Sequence, residues 1–276
     1  MLVSDKKTAL VTGASSGIGK TIAQRLIRDG YQVYAAARQI DKMADLRELG
    51  AQTLRMDISV EADIAAAVAT ILAQTDGVDV LINNAGFGLY GPMEEVGMDE
   101  ARYQFEVNLF GPARLTQLLL PAMRARKGGR IVNITSMGGK IYTPLGSWYH
   151  ATKHALEGWS DCLRIELAPF GIDVVVVEPG LIESGFADVV SEGLLKRSGS
   201  GPYAAMTRGV VEGTRNSYGR NSTTPARVIA DVVGDAVAAK RPRTRYVKGK
   251  LAGTLITLRT WLGDRMFDRI LMSQLR

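Results

Sequence analysis

Residues 8–19 carry the strongest fold signal in the chain and read Thr8-Ala9-Leu10-Val11-Thr12-Gly13-Ala14-Ser15-Ser16-Gly17-Ile18-Gly19. An apolar run enters a turn with three glycines, and apolar residues at helical spacing continue from Ile18 to Ile27. This pattern predicts a strand, a glycine turn and a helix. The glycines would let the backbone approach a pyrophosphate, whose charge a helix N-terminus attracts. The spacing is G-x-x-x-G-x-G rather than the more widespread G-x-G-x-x-G, and a chance cluster of turn glycines is the alternative interpretation.

The rest of the chain alternates apolar runs with helical patterns, which is typical of a parallel sheet covered by helices on both faces. The predicted strands lie near residues 8–12, 31–37, 51–56, 78–82, 129–135, 172–178 and 244–248. The predicted helices lie near residues 17–29, 41–48, 60–74, 99–126, 147–169 and 226–239. We therefore predict an α/β fold, with one doubly wound (Rossmann) domain over residues 1–276 and a seven-stranded parallel sheet.

Tyr149 and Lys153 form a candidate proton-transfer pair. They stand four positions apart in a predicted helix, and such positions share one helix face. A free phenol has a pKa near ~10, and an adjacent ammonium lowers it by stabilising the phenolate. A shift of ~3 units would need roughly 4 kcal/mol, part of which a positively charged nicotinamide ring could supply. The alternative is an ordinary solvated helix face.

Further motifs follow the glycine turn in a fixed order. Asp57-Ile58 follows the third predicted strand, Asn83-Asn84-Ala85-Gly86 follows the fourth, and Ser136 ends the fifth. Asn108 lies in a predicted helix, and Pro179-Gly180-Leu181-Ile182-Glu183-Ser184 follows the sixth strand. Together with the glycine turn and the Tyr149–Lys153 pair, they resemble the short-chain dehydrogenase/reductase family over about residues 6–185. The family usually has threonine where this chain has Ser184.

The resemblance implies a nicotinamide cofactor and a catalytic tetrad. The tetrad would be Asn108, Ser136, Tyr149 and Lys153. Tyr149 would exchange the proton, Ser136 would bind the substrate oxygen, and Asn108 would hold a water that links Lys153 to solvent. The expected cofactor-binding positions are Gly13, Ser15, Ser16, Gly17, Ile18, Gly19, Arg38, Asp57, Ile58, Asn84, Ala85, Gly86, Tyr149, Lys153, Pro179, Gly180, Ile182 and Ser184.

The end of the second predicted strand indicates NADP(H). NAD enzymes place an acid there for the ribose 2′-hydroxyl, whereas this chain has Ala37 followed by Arg38. The Arg38 guanidinium can pair with a 2′-phosphate, and Ser15 and Lys42 could assist. The alternative is that Arg38 only stacks on adenine, so that NAD also binds.

Five apolar residues next to the predicted site indicate a lipophilic substrate, a ketone or an alcohol. They are Phe87, Met137, Leu145, Trp148 and Phe186, although Trp148 could instead pack in the core. Residues 31–38 and the basic C-terminus resemble the branch that holds 17β-hydroxysteroid and retinol dehydrogenases and reductases of acyl-dihydroxyacetone phosphate. Turn-forming residues, mostly Gly and Ser, crowd residues 191–224, and we interpret residues 185–222 as a mobile substrate lid, with a surface excursion lacking function as the alternative.

Composition limits the other possibilities. Cys162 is the one cysteine, which excludes an internal disulfide, and we expect it to pack within its helix. His150 and His154 lack an acidic or cysteine partner at ligand spacing, so we expect surface or interface histidines and no metal. The sequence shows no signal-peptide pattern and no run of about 18 apolar residues. We therefore expect a cytoplasmic protein.

The basic C-terminal extension, residues 250–276, ends a region of uneven charge. Residues 240–276 hold ten Lys and Arg against two Asp, a net charge of +8 in a chain of +6. Apolar residues are interspersed, and a membrane-surface helix or an acidic partner would suit such a pattern. We favour a cap that packs its apolar face and solvates its charges. No nucleic-acid-binding motif accompanies the charge.

The leading hypothesis is an NADP(H)-dependent oxidoreductase that interconverts a carbonyl and a secondary alcohol. A cofactor-sensing protein without turnover and a peripheral membrane protein are the alternatives from other classes. The long helices near 99–126 and 147–169 resemble those through which the family forms dimers or tetramers, so we expect a homo-oligomer.

Overall fold

The computed structural model describes residues 6–219 and 222–273. Seven parallel strands form one sheet. They are β1 (Thr8–Thr12), β2 (Gln32–Ala37), β3 (Gln52–Arg55), β4 (Val80–Asn83), β5 (Gly129–Ile134), β6 (Ile172–Pro179) and β7 (Arg245–Lys248). Their order is β3-β2-β1-β4-β5-β6-β7, which confirms the predicted doubly wound sheet.

Helices cover both faces of this sheet. They are α1 (Gly17–Arg28), α2 (Ala44–Glu48), α3 (Glu61–Leu72), α4 (Met98–Phe105), α5 (Gly111–Ala125), α6 (Ser147–Leu167), α7 (Phe186–Ser198), α8 (Ala204–Ser217), α9 (Ala226–Ala238) and α10 (Ala252–Ser273). Ile22 and Leu26 of α1 meet Ile229 and Val233 of α9 in the core on one face. The helices α3, α5 and α6 bury a second core on the other. Two apolar faces on each central strand explain why those strands lack polar alternation.

The strand order reverses at β1, which pairs with β2 on one side and with β4 on the other. In doubly wound sheets, ligands bind in the crevice that opens at the carboxyl ends of the strands at this point. Gly13 follows β1 and Asn84 follows β4. The topology therefore places the glycine turn and the Asn-Ala-Gly segment on opposite sides of one crevice.

The single helix predicted at 99–126 is interrupted. A one-turn π-helix, Glu106–Phe110, separates α4 from α5 and carries Asn108 at its centre. Gly111 follows, and a Cβ there would lie 2.0 Å from the Ile58 carbonyl oxygen. Single-turn π-bulges of this kind occur frequently at functional sites.

The segment predicted as a mobile lid, 185–222, is largely helical. The helices α7 and α8 occupy it and pack together through Leu194, Val210 and Val211. A Cβ at Gly193 would meet nothing within 4 Å, so packing does not require glycine there. Such glycines lower the stability of a helix but do not prevent it from forming. Residues 220 and 221 of the predicted lid lie outside the described residues.

The C-terminal extension forms α10, which kinks at Gly263 (φ 69°, ψ 176°). Phe267 is buried and its ring meets the Tyr142 ring edge-on at 5.4 Å. Trp261, however, is 83 % exposed, so the prediction of a cap that packs its apolar residues is wrong for one side of this helix. Residues 274–276 lie outside the described residues. In the part of the chain that is described, no helix is both long and apolar enough to cross a membrane.

The single cysteine also departs from expectation. Cys162 lies on α6, but its side chain is exposed rather than packed. The prediction of a packed thiol is wrong because α6 buries Leu156, Ser160 and Leu163 instead.

Candidate active site

The turn after β1 is closely packed against the end of β4. Thr12 Oγ1 accepts hydrogen bonds from the backbone N–H groups of Asn84 and Ala85, each at 3.0 Å, and Asn84 Nδ2 donates to the Thr12 carbonyl at 2.9 Å. Gly13 has φ +67°, and a Cβ there would lie 2.9 Å from the Ala85 Cα. A Cβ on Gly19 would lie 2.4 Å from the Gly13 carbonyl oxygen. Side chains at these two positions would separate the walls of the crevice.

The N-terminus of α1 suits a pyrophosphate. Ser16 is the N-cap residue, yet its side chain makes no capping hydrogen bond, and the first turn holds no acidic residue. The first backbone N–H groups of a helix have no partner within it and carry partial positive charge. Dinucleotide phosphates match this donor set, so the residues present fit the predicted cofactor.

The crevice continues into a cleft of about 1160 Å³. Every residue predicted to bind the cofactor lines it, from Gly13 of the first turn to Ser184 after β6. Ser136, Tyr149 and Lys153 line it as well, whereas Asn108 lies behind the wall. The cleft therefore brings together residues from both halves of the sheet.

The hydroxyls of Ser136 and Tyr149 face each other across this cleft. Ser136 follows β5 and accepts a hydrogen bond from the backbone N–H of Gly138 at 3.0 Å. Tyr149 stands in the first turn of α6 and is 8 % exposed. Burial raises the pKa of Tyr149, and a hydrogen bond with Ser136 opposes the shift. The protein by itself thus keeps this phenol protonated at neutral pH.

Lys153 lies one turn further along α6, and its Nζ donates to the Ile134 carbonyl at 3.1 Å. Burial lowers the pKa of Lys153 to about 8, against the opposing charge of Glu157. Lys153 does not set the direction of the Tyr149 pKa shift, because desolvation dominates it. The expected depression of the tyrosine pKa by this lysine is therefore not a property of the protein alone.

Asn108 fixes the π-helix to its surroundings. Its Oδ1 accepts from the backbone N–H of Phe87, and its Nδ2 donates to the Phe87 carbonyl and to Thr152 Oγ1, each at 3.0 Å. Thr152 belongs to α6, between Tyr149 and Lys153. Asn108 therefore ties the segment after β4 to α6, and its role in a water relay stays a prediction.

A network of ion pairs joins α6 to β6 and β7. Arg245 of β7 donates to Glu157 at 2.9 Å, to Asp161 at 2.6 Å and to Glu178 at 3.1 Å. Burial and then the charge of Glu157 raise the pKa of Glu178 to about 7. Sequence patterning could not find this network, because its members come from α6, β6 and β7.

The cleft end near β2 carries Arg38, whose Nη1 donates to the Tyr103 hydroxyl at 3.0 Å. Ala37 precedes it in the lining, where an acid would repel a phosphate. Among the described lining residues the one carboxylate is Asp57, whose Oδ1 accepts two hydrogen bonds from Ser59. Lys42 does not belong to the lining. This end of the cleft is therefore suited to an anion.

Three of the five predicted substrate residues line the cleft, namely Phe87, Met137 and Phe186. The ring of Phe87 lies 5.5 Å from the ring of Tyr103, the partner of Arg38, so Phe87 belongs to the Arg38 end, whereas Met137 follows Ser136 at the opposite, apolar end. The ring of Phe186 lies 5.5 Å from the ring of Tyr149. Leu145 instead packs against the small core between α7 and α8. Trp148 meets Phe105 edge-on at 6.5 Å, because adjacent helix positions point about 100° apart and Tyr149 takes the cleft side.

The sequence predicts His150 at a surface or an interface, but the residue is buried within the chain. Its Nε2 accepts from the backbone N–H of Thr143 at 3.0 Å, so Nδ1 carries the proton and donates to the Gly138 carbonyl at 2.9 Å. Burial lowers the pKa of His150 to about 4, which leaves the ring neutral at pH 7. His150 therefore links Gly138 and Thr143, two cleft-lining residues of the loop between β5 and α6.

Several lining residues were not predicted from the sequence. Tyr90 places its ring 5.7 Å from the Tyr149 ring, and burial raises its pKa. Tyr218 of the segment after α8 lines the same end, and burial raises its pKa too. The helix α10 adds Leu255, Leu258, Ile270 and Leu271. The apolar residues of α10 are distant in sequence from the other cleft residues, so no local pattern indicates that they line the cleft.

Known proteins resemble this chain over most of its length. It is 35 % identical to the oxidoreductase YbbO of Escherichia coli (strain K12), over 97 % of this chain and 95 % of that protein. It is 34 % identical to a 3-ketodihydrosphingosine reductase of Bacteroides thetaiotaomicron, over 94 % of each.

Two solved structures have folds similar to that of this chain. A variant of an actinorhodin polyketide ketoreductase with NADPH is 34 % identical, has a TM-score of 0.76, and matches over 90 % of this chain and 97 % of that one. A short-chain dehydrogenase/reductase from Burkholderia phymatum with NAD is 27 % identical, has a TM-score of 0.77, and matches over 94 % and 95 %. The family model described as short chain dehydrogenase matches residues 7–194. With its glycine turn, sheet order and Ser–Tyr–Lys cleft, the chain belongs to the short-chain dehydrogenase/reductase family.

Proposed function

We propose that this oxidoreductase uses NADP(H) to interconvert a lipophilic ketone and the corresponding secondary alcohol. The observation that carries the proposal is one cleft with two unlike ends. Arg38 and the α1 N-terminus lie at a polar end, Tyr149 stands at the middle, and an apolar chamber lies beyond it.

The preference for the phosphorylated cofactor rests on Arg38. Its guanidinium stands at the cleft end of β2, and the neighbouring lining residue is Ala37 rather than an acid. Arginine matches phosphate geometry through paired N–H groups. The hydrogen bond from Arg38 to Tyr103 would hold the guanidinium beside the 2′-position.

A lipophilic substrate suits the chamber beyond Tyr149. Met137 and Phe186 line it, and α10 contributes four further aliphatic side chains. Burial of each methylene is worth ≈ 0.8 kcal/mol, so a long apolar chain would gain affinity there. The similarity to a reductase named for a keto-sphingoid substrate is consistent with this class.

The residues of the chain would transfer the proton that the reduced carbonyl oxygen requires. A bound nicotinamide supplies the hydride. The buried Tyr149 hydroxyl, kept protonated at neutral pH, would donate to the oxygen of the reduced carbonyl, and Ser136 would hydrogen-bond the same oxygen. Lys153 would bind the nicotinamide ribose and, with Asn108, form the path that returns a proton to Tyr149. The protonated phenol favours the reducing direction.

The test is the loss of NADPH and, separately, NADH absorbance with ketones graded in chain length, including an acyl-dihydroxyacetone phosphate and a 3-keto sphingoid base. We expect faster turnover with NADPH and a rise in kcat/KM with chain length. Turnover independent of chain length would contradict the lipophilic substrate. NADPH binding without turnover of any ketone would favour a cofactor-sensing protein.

The expected quaternary structure rests on the family resemblance, and the expected location rests on the composition of the chain. We expect a homo-oligomer built on α4, α5 and α6, and a protein that works in the cytoplasm. A monomeric mass in light scattering would contradict the oligomer.

A further inference from the structure

Four large apolar side chains of α10 are exposed, and we call the surface that they form with the exposed arginines beside them the outer face. Trp261 is 83 % exposed, Leu262 40 %, Met266 45 % and Met272 43 %. Trp261 and Leu262 precede the kink at Gly263, whereas Met266 and Met272 follow it. A soluble domain rarely leaves so many large apolar side chains together on one helix without a partner.

The opposite side of the same helix already has partners. Phe267 is buried on Tyr142, and Asp268 accepts a hydrogen bond from the Tyr142 hydroxyl at 2.8 Å. Ile270 and Leu271 line the cleft. The helical spacing separates this docked side from positions 265, 266, 269 and 272. Docking on the protein therefore accounts for one side of α10 and leaves the outer face unexplained.

The outer face is also positively charged. Arg265 and Arg269 are exposed and lie one turn apart, the first directly before Met266 and the second between Met266 and Met272. Asp264 pairs with Arg259, and Asp268 is turned toward Tyr142. Lys248 and Lys250 are exposed just before the helix. The described outer face thus combines apolar side chains with cations.

We propose that the outer face of α10 docks on a membrane surface that contains anionic lipid. An interfacial helix lies in the plane of the headgroups, with apolar residues inserted and Lys or Arg beside the lipid phosphates. Tryptophan favours this boundary, because its ring is apolar and its N–H is polar. In this arrangement the exposed apolar residues on both sides of the kink at Gly263 would contact the same surface.

Charge favours a membrane over a second copy of the chain. A twofold-symmetric contact would place this face against itself and bring Arg265 and Arg269 of one copy toward those of the other. No described acidic side chain of this face remains to offset that repulsion. Lipid phosphate supplies the missing negative charge.

Docking would also bring the cleft to within about one helix diameter, ~10 Å, of the lipid surface, because the inner side of α10 forms part of its wall through Leu255, Leu258, Ile270 and Leu271. This consequence rests on the proposed function, since it matters only for a lipophilic substrate. The docking itself does not require turnover and is tested without it.

The test is co-sedimentation with vesicles of phosphatidylcholine alone or with about 30 % phosphatidylglycerol at low salt. We expect binding to the anionic vesicles, weak binding to the neutral ones, and release at high salt. Removal of two charges in R265Q/R269Q is expected to weaken binding about thirtyfold. The matched control R28Q/R47Q removes two exposed charges from α1 and α2 and should bind as the parent does.

The variant W261S/M266S tests the apolar contribution to vesicle binding. The control is Leu49→Ser, which changes an apolar side chain outside α10 that is 54 % exposed. The first variant should lose vesicle binding and the second should retain it. Tryptophan emission of the parent should shift to the blue on anionic vesicles, because Trp261 is exposed while Trp148 and Trp159 are half-buried. Trp261→Phe should still bind but lose the shift.

Absence of sedimentation at low salt, or equal binding by R265Q/R269Q, would overturn the proposal. A fall in oligomer mass of W261S/M266S without any vesicle binding would overturn it in favour of a contact between copies. NADPH titration and thermal unfolding of each variant verify the fold. Because sedimentation involves no turnover, its failure is distinguishable from failure of the proposed reaction.

Discussion

The two ends of the cleft are built in opposite ways. The nucleotide end consists of backbone held by short-range contacts, such as the Thr12 hydroxyl between β1 and β4 and the glycines that allow no Cβ. The substrate end consists of side chains from α7, α8 and α10, with Phe186 and Leu258 among them. Backbone recognises what all dinucleotides share, whereas side chains can change with the substrate.

The middle of the cleft should be the most sensitive to change. Tyr149→Phe removes the hydroxyl that would donate the proton, while the ring continues to pack against Phe186 and Tyr90. We expect kcat to fall roughly 10²–10⁴-fold. Stopped-flow measurement of NADPH oxidation gives kcat, and fluorescence titration should show unchanged NADPH binding. Normal turnover by this variant would mean that another group donates the proton.

A pair of glycine substitutions tests the contrast between the ends. In Gly19→Ala the Cβ would lie 2.4 Å from the Gly13 carbonyl oxygen, so we expect a loss of about 1–3 kcal/mol in the free energy of unfolding and weaker NADPH binding. In Gly213→Ala the Cβ meets nothing within 4 Å inside α8, and we expect a gain of about 0.5–1 kcal/mol. Urea unfolding of both variants gives the two values. Equal effects would remove the distinction between a backbone-built and a side-chain-built end.

The stability of the fold should depend on pH through His150, which links residues of the loop between β5 and α6. The folded protein holds the pKa of His150 at about 4, below its ordinary value of 6.5, so folding favours the neutral ring. Its contribution is complete above pH 6.5 and is lost as the pH falls toward about 4. We expect up to about 3 kcal/mol of destabilisation, seen as a fall in Tm between these values.

His150→Gln is the control for this pH dependence. Glutamine does not titrate, so the variant should be less stable at pH 7 but show a flatter Tm profile between pH 6.5 and 4. A profile as steep as that of the parent would assign the acid transition to other groups, such as the carboxylates around Arg245.

The last prediction concerns the Arg38 end of the cleft. Arg38→Asp replaces the proposed phosphate partner with an acid that can bind a ribose 2′-hydroxyl. We expect the ratio of kcat/KM for NADPH to that for NADH to fall about ten- to a hundredfold, which corresponds to about 1.4–2.8 kcal/mol. Chain-length preference should not change, because Arg38 lies at the other end of the cleft. An unchanged ratio would mean that another group binds the 2′-phosphate.

The amino-acid sequence by itself determined the sheet and the nucleotide end. Strand, glycine turn and helix are contiguous from Thr8 to Arg28, and Tyr149 and Lys153 are one helical turn apart, so local spacing was enough to predict them. The seven strands lie close to where apolar runs predicted them, because buried parallel strands require such runs.

Only the tertiary structure decided the substrate end. Leu258 and Ile270 reach the cleft from α10, more than a hundred positions after Tyr149, and no local pattern records that approach. The neutral state of His150 and the raised pKa of Glu178 likewise depend on burial by several elements at once. Periodicity shows which side of a helix is apolar, but the neighbours that each side meets are set by the packing of the whole chain.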